Sequence, residues 1–503
     1  MPRQNAKSNS KTASEEKSDV VRCLTNQNYG SLNTPIDFSR LNKNIEYDIE
    51  QIYKGSLRTI SLYEVKNTHK EISLISFKPH HVNTDSDDRK TLIFSLEKKK
   101  VDFSNDEKYY VCTGLYAGRI TINGVTFNIH PDCSDALYKR MLNFANHIYI
   151  EKNEEFGKKD KNNDFSLIQY LFLNSLQKVS MMGLPQEYVK HSYHDMRVHG
   201  GVDVLNFIKK DIPFKGKISS QKNERNYVQS IVDVLYFALK SCNKEIQAGF
   251  NRLAFLKSEL GSSFSGKFPT EQTIQNALRH RALNNPMYRD FKNTLKYAEI
   301  VIKNSAILPD PKDKSQKASG FLLDVASLWE VYLERLLSKK LNGWRVSAQE
   351  DLLLYEDSFF ERYNYPDLVL RNANDENQVI VLDAKFKKMG FANNDVDRPD
   401  LHQINSYTGY YSELGKNVVL SGLIYPLSLE ISEKDENGNF KDYQNKYKNE
   451  TTLYGLQKSK TKFVVDGIYK GSLNGDNQGY SVLDAEKAFV KRIENYLEAK
   501  LLL

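Results

Sequence analysis

Cysteine is scarce in this sequence, with 4 residues in 503, and its spacing matches neither a metal site nor a disulfide framework. Cys23, Cys112, Cys133 and Cys242 form no CxxC pair and have no cluster of histidines beside them. This pattern argues against zinc ribbons and against small secreted scaffolds that depend on disulfides. Reduced thiols in a cytoplasmic protein are the expectation.

Long hydrophobic runs are also missing. The longest apolar stretch, residues 418–429, contains Ser, Tyr and Pro and falls short of the roughly 20 residues that cross a bilayer. Residues 1–24 lack the apolar core of a secretory signal, and their acidic side chains argue against a transit peptide. We therefore expect a disordered tail there and no membrane span. With 13 Pro, 25 Gly and no regular period, collagen-like and low-complexity classes are excluded as well.

The charge balance is modest. The chain carries 71 Lys and Arg against 64 Asp and Glu, which gives a formal net charge of +7. This excess is compatible with a nucleic-acid partner but does not require one. Hydrophobic residues make up 40% of the chain, and at about 100 to 200 residues per domain the length predicts two to four folded domains.

The first folded part, residues 25–131, has the pattern of a β-rich N-terminal domain. Residues 118–130 alternate apolar and polar side chains on both sides of an Asn-Gly pair at 123–124. These two residue types accept the positive φ angles of a type I′ turn, so a β-hairpin is predicted. We expect residues 91–96 and 109–113 to join the same sheet.

The remaining chain divides into a helical region and a mixed domain. Residues 132–304 have helical periodicity and are predicted to form a helical region. A proline-containing charged segment, 305–317, is predicted to be a linker. Residues 318–503 alternate helices and strands, beginning with a helix from Phe321 to Leu337, and the polar insertion 433–460 is predicted to be mobile. The predicted fold class is a multidomain α+β protein whose C-terminal domain is mixed α/β.

Chemistry concentrates in a hairpin of this last domain. One strand follows a Pro-Asp pair that ends at Asp367, a polar gap covers 371–378, and the apolar run 379–382 leads into Asp383 and Lys385. Side chains alternate along a strand, so Asp383 and Lys385 are expected on one face. An acid and a base at the end of a buried strand cost desolvation energy unless they serve a function.

A divalent cation provides such a function. Carboxylates of Asp367 and Asp383 can bind Mg²⁺ or Mn²⁺, hard cations that prefer oxygen ligands. Lys385 beside them could orient or deprotonate a water molecule for attack on a phosphodiester. The alternative is a salt-bridged hairpin at the surface with no catalytic role.

The Pro-Asp…Asp-Ala-Lys arrangement resembles the PD-(D/E)xK nuclease superfamily. The resemblance implies an acidic residue on the helix before the hairpin, which is Glu330, with Glu334 one turn away as the alternative. It also implies a Gln-x-x-x-Tyr pair downstream, matched by Gln403 and Tyr407, which in the RecB-like branch contacts the substrate backbone. Packing of that helix against the sheet is the alternative role for Gln403 and Tyr407.

A wider resemblance extends over roughly residues 167–426. Five features follow one another in an order that resembles the McrC family. They are a Met-Gly-Leu segment (182–184), a His-Gly-Gly-Val-Asp segment (199–203), the helix, the hairpin and an Asp-Leu-His-Gln-Ile-Asn-Ser-Tyr segment (400–407). McrC-type chains are nuclease subunits of modification-dependent McrBC restriction systems. Gly201 stands where the family usually has arginine, and Trp329 where it usually has phenylalanine.

The resemblance implies a DNA endonuclease that works with a GTP-hydrolysing AAA+ ring. The N-terminal half would engage the ring, with the helical region 132–304 assigned to partner docking, and DNA would be cleaved after translocation. Two alternatives remain from the residues alone: an autonomous RecB-like nuclease that acts on DNA ends, and an adaptor that activates a motor. The Gly-x-x-x-x-Gly-Lys match at 261–267 is followed by Phe268 instead of Ser or Thr, so a loop is favoured over a nucleotide site.

Overall fold

In a computed structural model of the chain, the structure describes residues 20–26, 35–42, 45–69, 71–78, 85–100, 107–145, 164–248, 250, 253–306, 318–353, 363–387, 397–427, 461–471 and 481–501. Residues 1–19 of the predicted tail, most of the predicted linker 305–317 and the whole predicted insertion 433–460 lie outside the described residues. Within the described ranges, no helix has both the length and the apolar character needed to cross a membrane.

The strands of the described residues are numbered in chain order. They are β1 (Val20–Leu24), β2 (Thr59–Ser61), β3 (Ile72–Ile75), β4 (Leu92–Lys100), β5 (Glu107–Thr113), β6 (Tyr116–Ile122), β7 (Val125–His130), β8 (Gln186–Asp195), β9 (Gly201–Val202), β10 (Ile218–Tyr227), β11 (Ala318–Asp324), β12 (Trp344–Ser347), β13 (Leu352–Leu353), β14 (Tyr363–Asn364), β15 (Leu368–Asn372), β16 (Gln378–Ala384), β17 (Asn417–Leu427) and β18 (Lys462–Tyr469).

The α-helices are numbered in the same way. They are α1 (Ile45–Lys54), α2 (Leu62–Asn67), α3 (Asp85–Lys90), α4 (Asp135–Ala145), α5 (Asp164–Val179), α6 (Val204–Lys210), α7 (Gln229–Ser241), α8 (Lys244–Ala248), α9 (Leu253–Ser263), α10 (Glu271–Leu278), α11 (Phe291–Ala306), α12 (Val325–Lys340), α13 (Arg398–Glu413) and α14 (Val482–Leu501).

The chain forms two compact units, and the first is discontinuous in sequence. It comprises Met1–Lys158 together with Lys314–Leu503, and the second unit is Lys159–Asp313. The two segments of the first unit share a five-stranded sheet with the order β1-β7-β6-β11-β3. Because β11 pairs with β6 and with β3, the N-terminal strands form one body with the C-terminal region, and not the separate domain at 25–131 that the sequence predicted.

The predicted hairpin is present in this sheet. Strands β6 and β7 pair antiparallel, and Asn123 and Gly124 take φ angles of 49° and 88° in the turn. The predicted extension of the sheet is wrong, because β4 and β5 pair with β2 in a separate three-stranded sheet. The structure also differs from the predicted tail, since Val20–Leu24 forms β1 and pairs in parallel with β7.

The helix predicted to start at Phe321 starts later. Phe321, Leu322 and Leu323 lie in β11, between β6 and β3, and are fully buried. The side chain of Asp324 accepts a hydrogen bond from the backbone N–H of Ser327 and caps α12, as expected of an N-cap aspartate. The prediction merged a strand and a helix because apolar residues continue across their junction.

The C-terminal sheet has the order β12-β15-β16-β17-β18. Strands β15 and β16 pair antiparallel, whereas β16, β17 and β18 run parallel to one another. Helices α12, α13 and α14 pack against this sheet, and the apolar run 379–382 is fully buried in β16. The mixed α/β character predicted for this region is confirmed.

The second unit contains more than helices. Helices α5 to α11 share it with a three-stranded antiparallel sheet of order β8-β10-β9, which the purely helical prediction for 132–304 missed. Strands β8 and β10 pair along all ten residues, yet Ser219 and Ser220 are their only buried residues. Without an apolar face, these strands have no period-two hydrophobic pattern in the sequence.

Gly118 allows the close pairing of β6 with β11. Its φ is 143°, and an added Cβ would lie 2.3 Å from the carbonyl oxygen of Phe321. We expect Gly118→Ala to destabilise the first unit by about 2 kcal/mol or more, because backbone strain of about 1–3 kcal/mol adds to this clash. Thermal unfolding checks it against Gly409→Ala, whose Cβ would meet nothing within 4 Å. Equal unfolding temperatures for the two variants would contradict the prediction.

Candidate active site

The two predicted aspartates lie side by side at one end of the β15–β16 hairpin. Leu368 pairs with Leu382 in the antiparallel register, so Asp367 and Asp383, the next residues outward, adjoin one another. The backbone N–H of Ala384 donates a hydrogen bond of 2.8 Å to Oδ2 of Asp367. The strand register and this hydrogen bond therefore hold the two carboxylates close together.

Asp383 is fully buried and has one charged partner. Its Oδ2 lies 2.7 Å from Nζ of Lys385 in a close ion pair, and Oδ1 has no hydrogen-bond partner among the described residues. Burial raises the pKa of Asp383 well above its usual value, and the negative charge of Asp367 raises it further. In this buried position, the ionised carboxylate of Asp383 is stable only with a positive charge nearby.

Lys385 begins a chain of polar contacts that includes both residues of the Gln-x-x-x-Tyr pair. Its Nζ donates to Oε1 of Gln403 at 2.9 Å, and Nε2 of Gln403 donates to the hydroxyl of Tyr407 at 2.7 Å. That hydroxyl donates to the carbonyl of Tyr365 at 3.2 Å. Burial raises the pKa of Tyr407 to about 12, so the phenol stays a neutral donor.

The charge state of Lys385 bears on whether it could orient a water molecule or deprotonate one. Burial alone would lower the pKa of this amine, but the carboxylates of Asp383 and Asp367 outweigh burial and hold the pKa above its usual value. A cationic ammonium can orient water or attract phosphate, whereas a base must first lose its proton. The two carboxylates therefore favour the cationic form of Lys385, which can orient water or attract phosphate.

Glu330 lies on α12 in a mostly buried position. Its Oε2 lies 2.8 Å from Nζ of Lys78 and accepts a hydrogen bond of 3.2 Å from Nε2 of Gln349. Burial raises the pKa of Glu330 to about 7, with a further contribution from the charge of Asp367. This coupling to Asp367 favours Glu330 over Glu334 as the acid of the helix.

The sequence did not single out a second polar cluster beside the hairpin. Asp400 is buried at the start of α13, where it pairs with Nζ of Lys387 at 2.7 Å and accepts from the hydroxyl of Tyr425 at 3.0 Å. Asp400 precedes Gln403 by three residues, so helical spacing placed both on one face. That spacing was the available signal. Nothing in the sequence pointed to Lys78 or Gln349.

The residues fit a hard divalent cation that retains water ligands. No group of three His, Cys, Asp or Glu side chains in the described part of the chain is arranged to hold a metal unaided, so a zinc-like site with a full protein shell is not what these residues form. Mg²⁺ usually binds through one or two carboxylates and keeps several waters. The buried carboxylate of Asp383, beside that of Asp367, supplies oxygen ligands of that kind.

A family model described as "McrBC 5-methylcytosine restriction system component" matches residues 111–426. The match covers well over half of the 503 residues and includes all six predicted site residues. None of the curated proteins matches the chain.

Solved structures show a similar fold. The refined half-complex from the tetradecameric assembly of Thermococcus gammatolerans McrB AAA+ hexamers with bound McrC contains a chain that matches 95% of this one over 99% of its own length, with a TM-score of 0.54 and 15% identity. The cryo-EM structure of the Thermococcus gammatolerans McrBC complex matches 65% of this chain over 89% of its own, with a TM-score of 0.36 and 15% identity. At this identity the first likeness concerns the fold, and the second adds no weight.

A stability measurement tests whether the ionised carboxylate of Asp383 destabilises the fold. The folded state raises the pKa of this carboxyl, so ionisation destabilises the fold increasingly as the pH rises above about 4. In EDTA at pH 8 we expect Asp383→Asn to raise the unfolding temperature by about 2–4 °C, or about 1 kcal/mol, with a smaller rise at pH 5. Mg²⁺ should then stabilise the wild type and leave the variant unchanged.

Asp466→Asn is the matched control for this measurement. Asp466 is equally buried in the same sheet, but Arg492 and Tyr496 donate hydrogen bonds to its carboxylate. Its substitution should lower the unfolding temperature, because it leaves Arg492 without its charge partner. In Asp383→Asn, by contrast, Lys385 keeps Gln403 as a hydrogen-bond acceptor and Asp367 as a nearby negative charge. A comparable loss of stability in Asp383→Asn would show that Asp383 is an ordinary structural aspartate.

Proposed function

The chain belongs to the McrBC family of restriction system components, and we propose that it is the nuclease subunit, a metal-dependent DNA endonuclease with a PD-(D/E)xK domain. The observation that carries this proposal is the fully buried carboxylate of Asp383, which adjoins the carboxylate of Asp367 and has the ammonium group of Lys385 as its ion-pair partner. Two adjoining carboxylates with one ammonium group leave negative charge in a buried place, which disfavours folding and favours a bound cation.

Asp367 and Asp383 would hold Mg²⁺ or Mn²⁺. The chemistry supplied by such a cation is stabilisation of the negative charge that develops on a phosphodiester during hydrolysis. Lys385 would hold its ammonium group toward the phosphate, oriented by Gln403. Tyr407 fixes Gln403 in turn, so the pair would act mainly by positioning Lys385 and the substrate backbone.

We further propose a GTP-hydrolysing AAA+ ring as the partner. The structure with a similar fold contains McrB AAA+ hexamers with bound McrC. In the second unit, large apolar side chains are highly exposed, among them Met196 at 76%, Leu205 at 72% and Phe255 at 77%. A bound protein would cover apolar side chains that are exposed to this degree, which supports the assignment of this region to docking.

The nucleotide would then be hydrolysed by the partner. The Gly-x-x-x-x-Gly-Lys match at 261–267 starts inside α9 and continues into the loop that follows. A phosphate-binding loop instead connects a strand to a helix and ends in Ser or Thr, a place taken here by Phe268. This geometry supports a chain that does not bind GTP itself.

Paired assays of DNA cleavage and phosphate release test the proposal. With the AAA+ partner, GTP, Mg²⁺ and plasmid DNA carrying 5-methylcytosine, we expect double-strand cleavage. Asp367→Ala and Asp383→Ala should reduce cleavage about 1,000-fold or more, because the cation would lose a ligand. Stimulation of GTP hydrolysis should persist in both variants, since docking lies elsewhere in the chain.

Asp375→Ala is the control, because Asp375 lies in the exposed turn of the same hairpin. It should cleave at the wild-type rate. Wild-type cleavage by Asp383→Ala would contradict the active-site assignment. Cleavage of linear DNA from its ends, without partner or GTP, would favour an autonomous repair nuclease instead. GTPase stimulation without any cleavage by the wild type would favour an adaptor.

A further inference from the structure

Lys78 brings the N-terminal strands into the candidate active site. Its Nζ lies 2.8 Å from Oε2 of Glu330, and the two side chains are only 8% and 16% exposed. The residues are 252 positions apart in the sequence. An ion pair this buried restricts both partners, because neither charge can move without losing its counter-charge.

The sheet topology explains how Lys78 reaches the helix. Strands β3 and β11 run parallel, and Ile75 pairs with Leu323 near their carboxyl ends. The chain continues from β3 to Lys78 and from β11 into α12, so both segments emerge at the same edge of the sheet. The backbone N–H of Phe77 donates a hydrogen bond of 3.3 Å to Oγ of Ser327, in the first turn of α12.

The charges at the site show what Lys78 adds. Asp367, Asp383 and Glu330 supply three carboxylates, and Lys385 supplies one ammonium group. Because like charges repel one another, Glu330 needs a counter-charge to remain ionised near Asp367. Lys78 supplies that ammonium group from outside the hairpin.

We propose that Lys78 is a positioning residue of the nuclease site, which holds Glu330 in its working place and makes the N-terminal sheet a structural part of that site. The inference rests on the proposed nuclease function. It assigns to strands that precede the docking unit a role in cleavage itself. Lys78 acts through Glu330, and it is not assigned a contact with DNA.

The test compares Lys78→Met with Lys78→Arg and with Lys66→Met. Lys66 forms a similar ion pair with buried Asp88 at 2.6 Å, in the same part of the chain. Cleavage is measured with the full chain, the AAA+ partner, GTP and Mg²⁺. Affinity for plasmid DNA and its salt dependence are measured in EDTA. We expect Lys78→Met to lower kcat by about 10- to 100-fold, as for a displaced catalytic group.

Three readouts separate positioning from the other roles. DNA affinity and its salt slope should not change in Lys78→Met, whereas loss of a phosphate contact would reduce the slope by about 1. Lys78→Arg, which keeps the charge, should recover part of kcat. Lys66→Met should keep the wild-type kcat. If Lys78→Met unfolds, Lys78→Gln replaces it with the same expected results.

Asp383→Asn is included to distinguish two kinds of failure. An inactive Asp383→Asn together with wild-type kcat in Lys78→Met would overturn this inference alone. Full activity of Asp383→Asn would overturn the proposed function and the inference with it. A reduced salt slope in Lys78→Met, or equal loss of kcat in Lys66→Met, would also overturn the positioning role.

Discussion

The pairing of two acidic residues at one end of a buried hairpin is the constraint on which the rest of the site depends. The register that joins Leu368 to Leu382 places Asp367 and Asp383 next to each other, and burial raises the pKa of Asp383. If stability were the only requirement, apolar residues at these two positions would serve better than a pair of buried acids. The surrounding polar contacts of Lys385 and Gln403 have their simplest explanation in the need to balance this charge.

The site also depends on the first unit being built from two separate segments of the chain. Strand β11 is shared by the N-terminal sheet and the start of α12, so the helix that carries Glu330 is anchored to the N-terminal strands β3 and β6. Under the proposed function, this shared sheet would tie the position of Glu330 to the N-terminal part of the chain. In this structure, Lys78 and Ser327 are the contacts that make the coupling specific.

Much of the candidate site could be predicted from sequence because its signals are local. The alternation that placed Asp383 and Lys385 on one face, and the helical spacing of Gln403 and Tyr407, both involve residues fewer than five apart. The turn at Asn123 and Gly124 could be predicted for the same reason. Lys78 could not be predicted, because its contact with Glu330 depends on a parallel strand pairing that no short-range pattern encodes. The β8–β10 sheet was missed because its strands bury almost no side chains. The start of α12 was predicted too early because β11, which precedes it, is as apolar as the helix.

The central claim is that Asp367 and Asp383 bind a divalent cation, and a direct titration tests it. Mn²⁺ is added to the purified chain, without DNA or nucleotide, and free Mn²⁺ is followed by electron paramagnetic resonance. The account predicts saturable binding at one site of the wild type, loss of that site in Asp383→Asn, and competition by Mg²⁺. Identical Mn²⁺ binding by wild type and Asp383→Asn would contradict it.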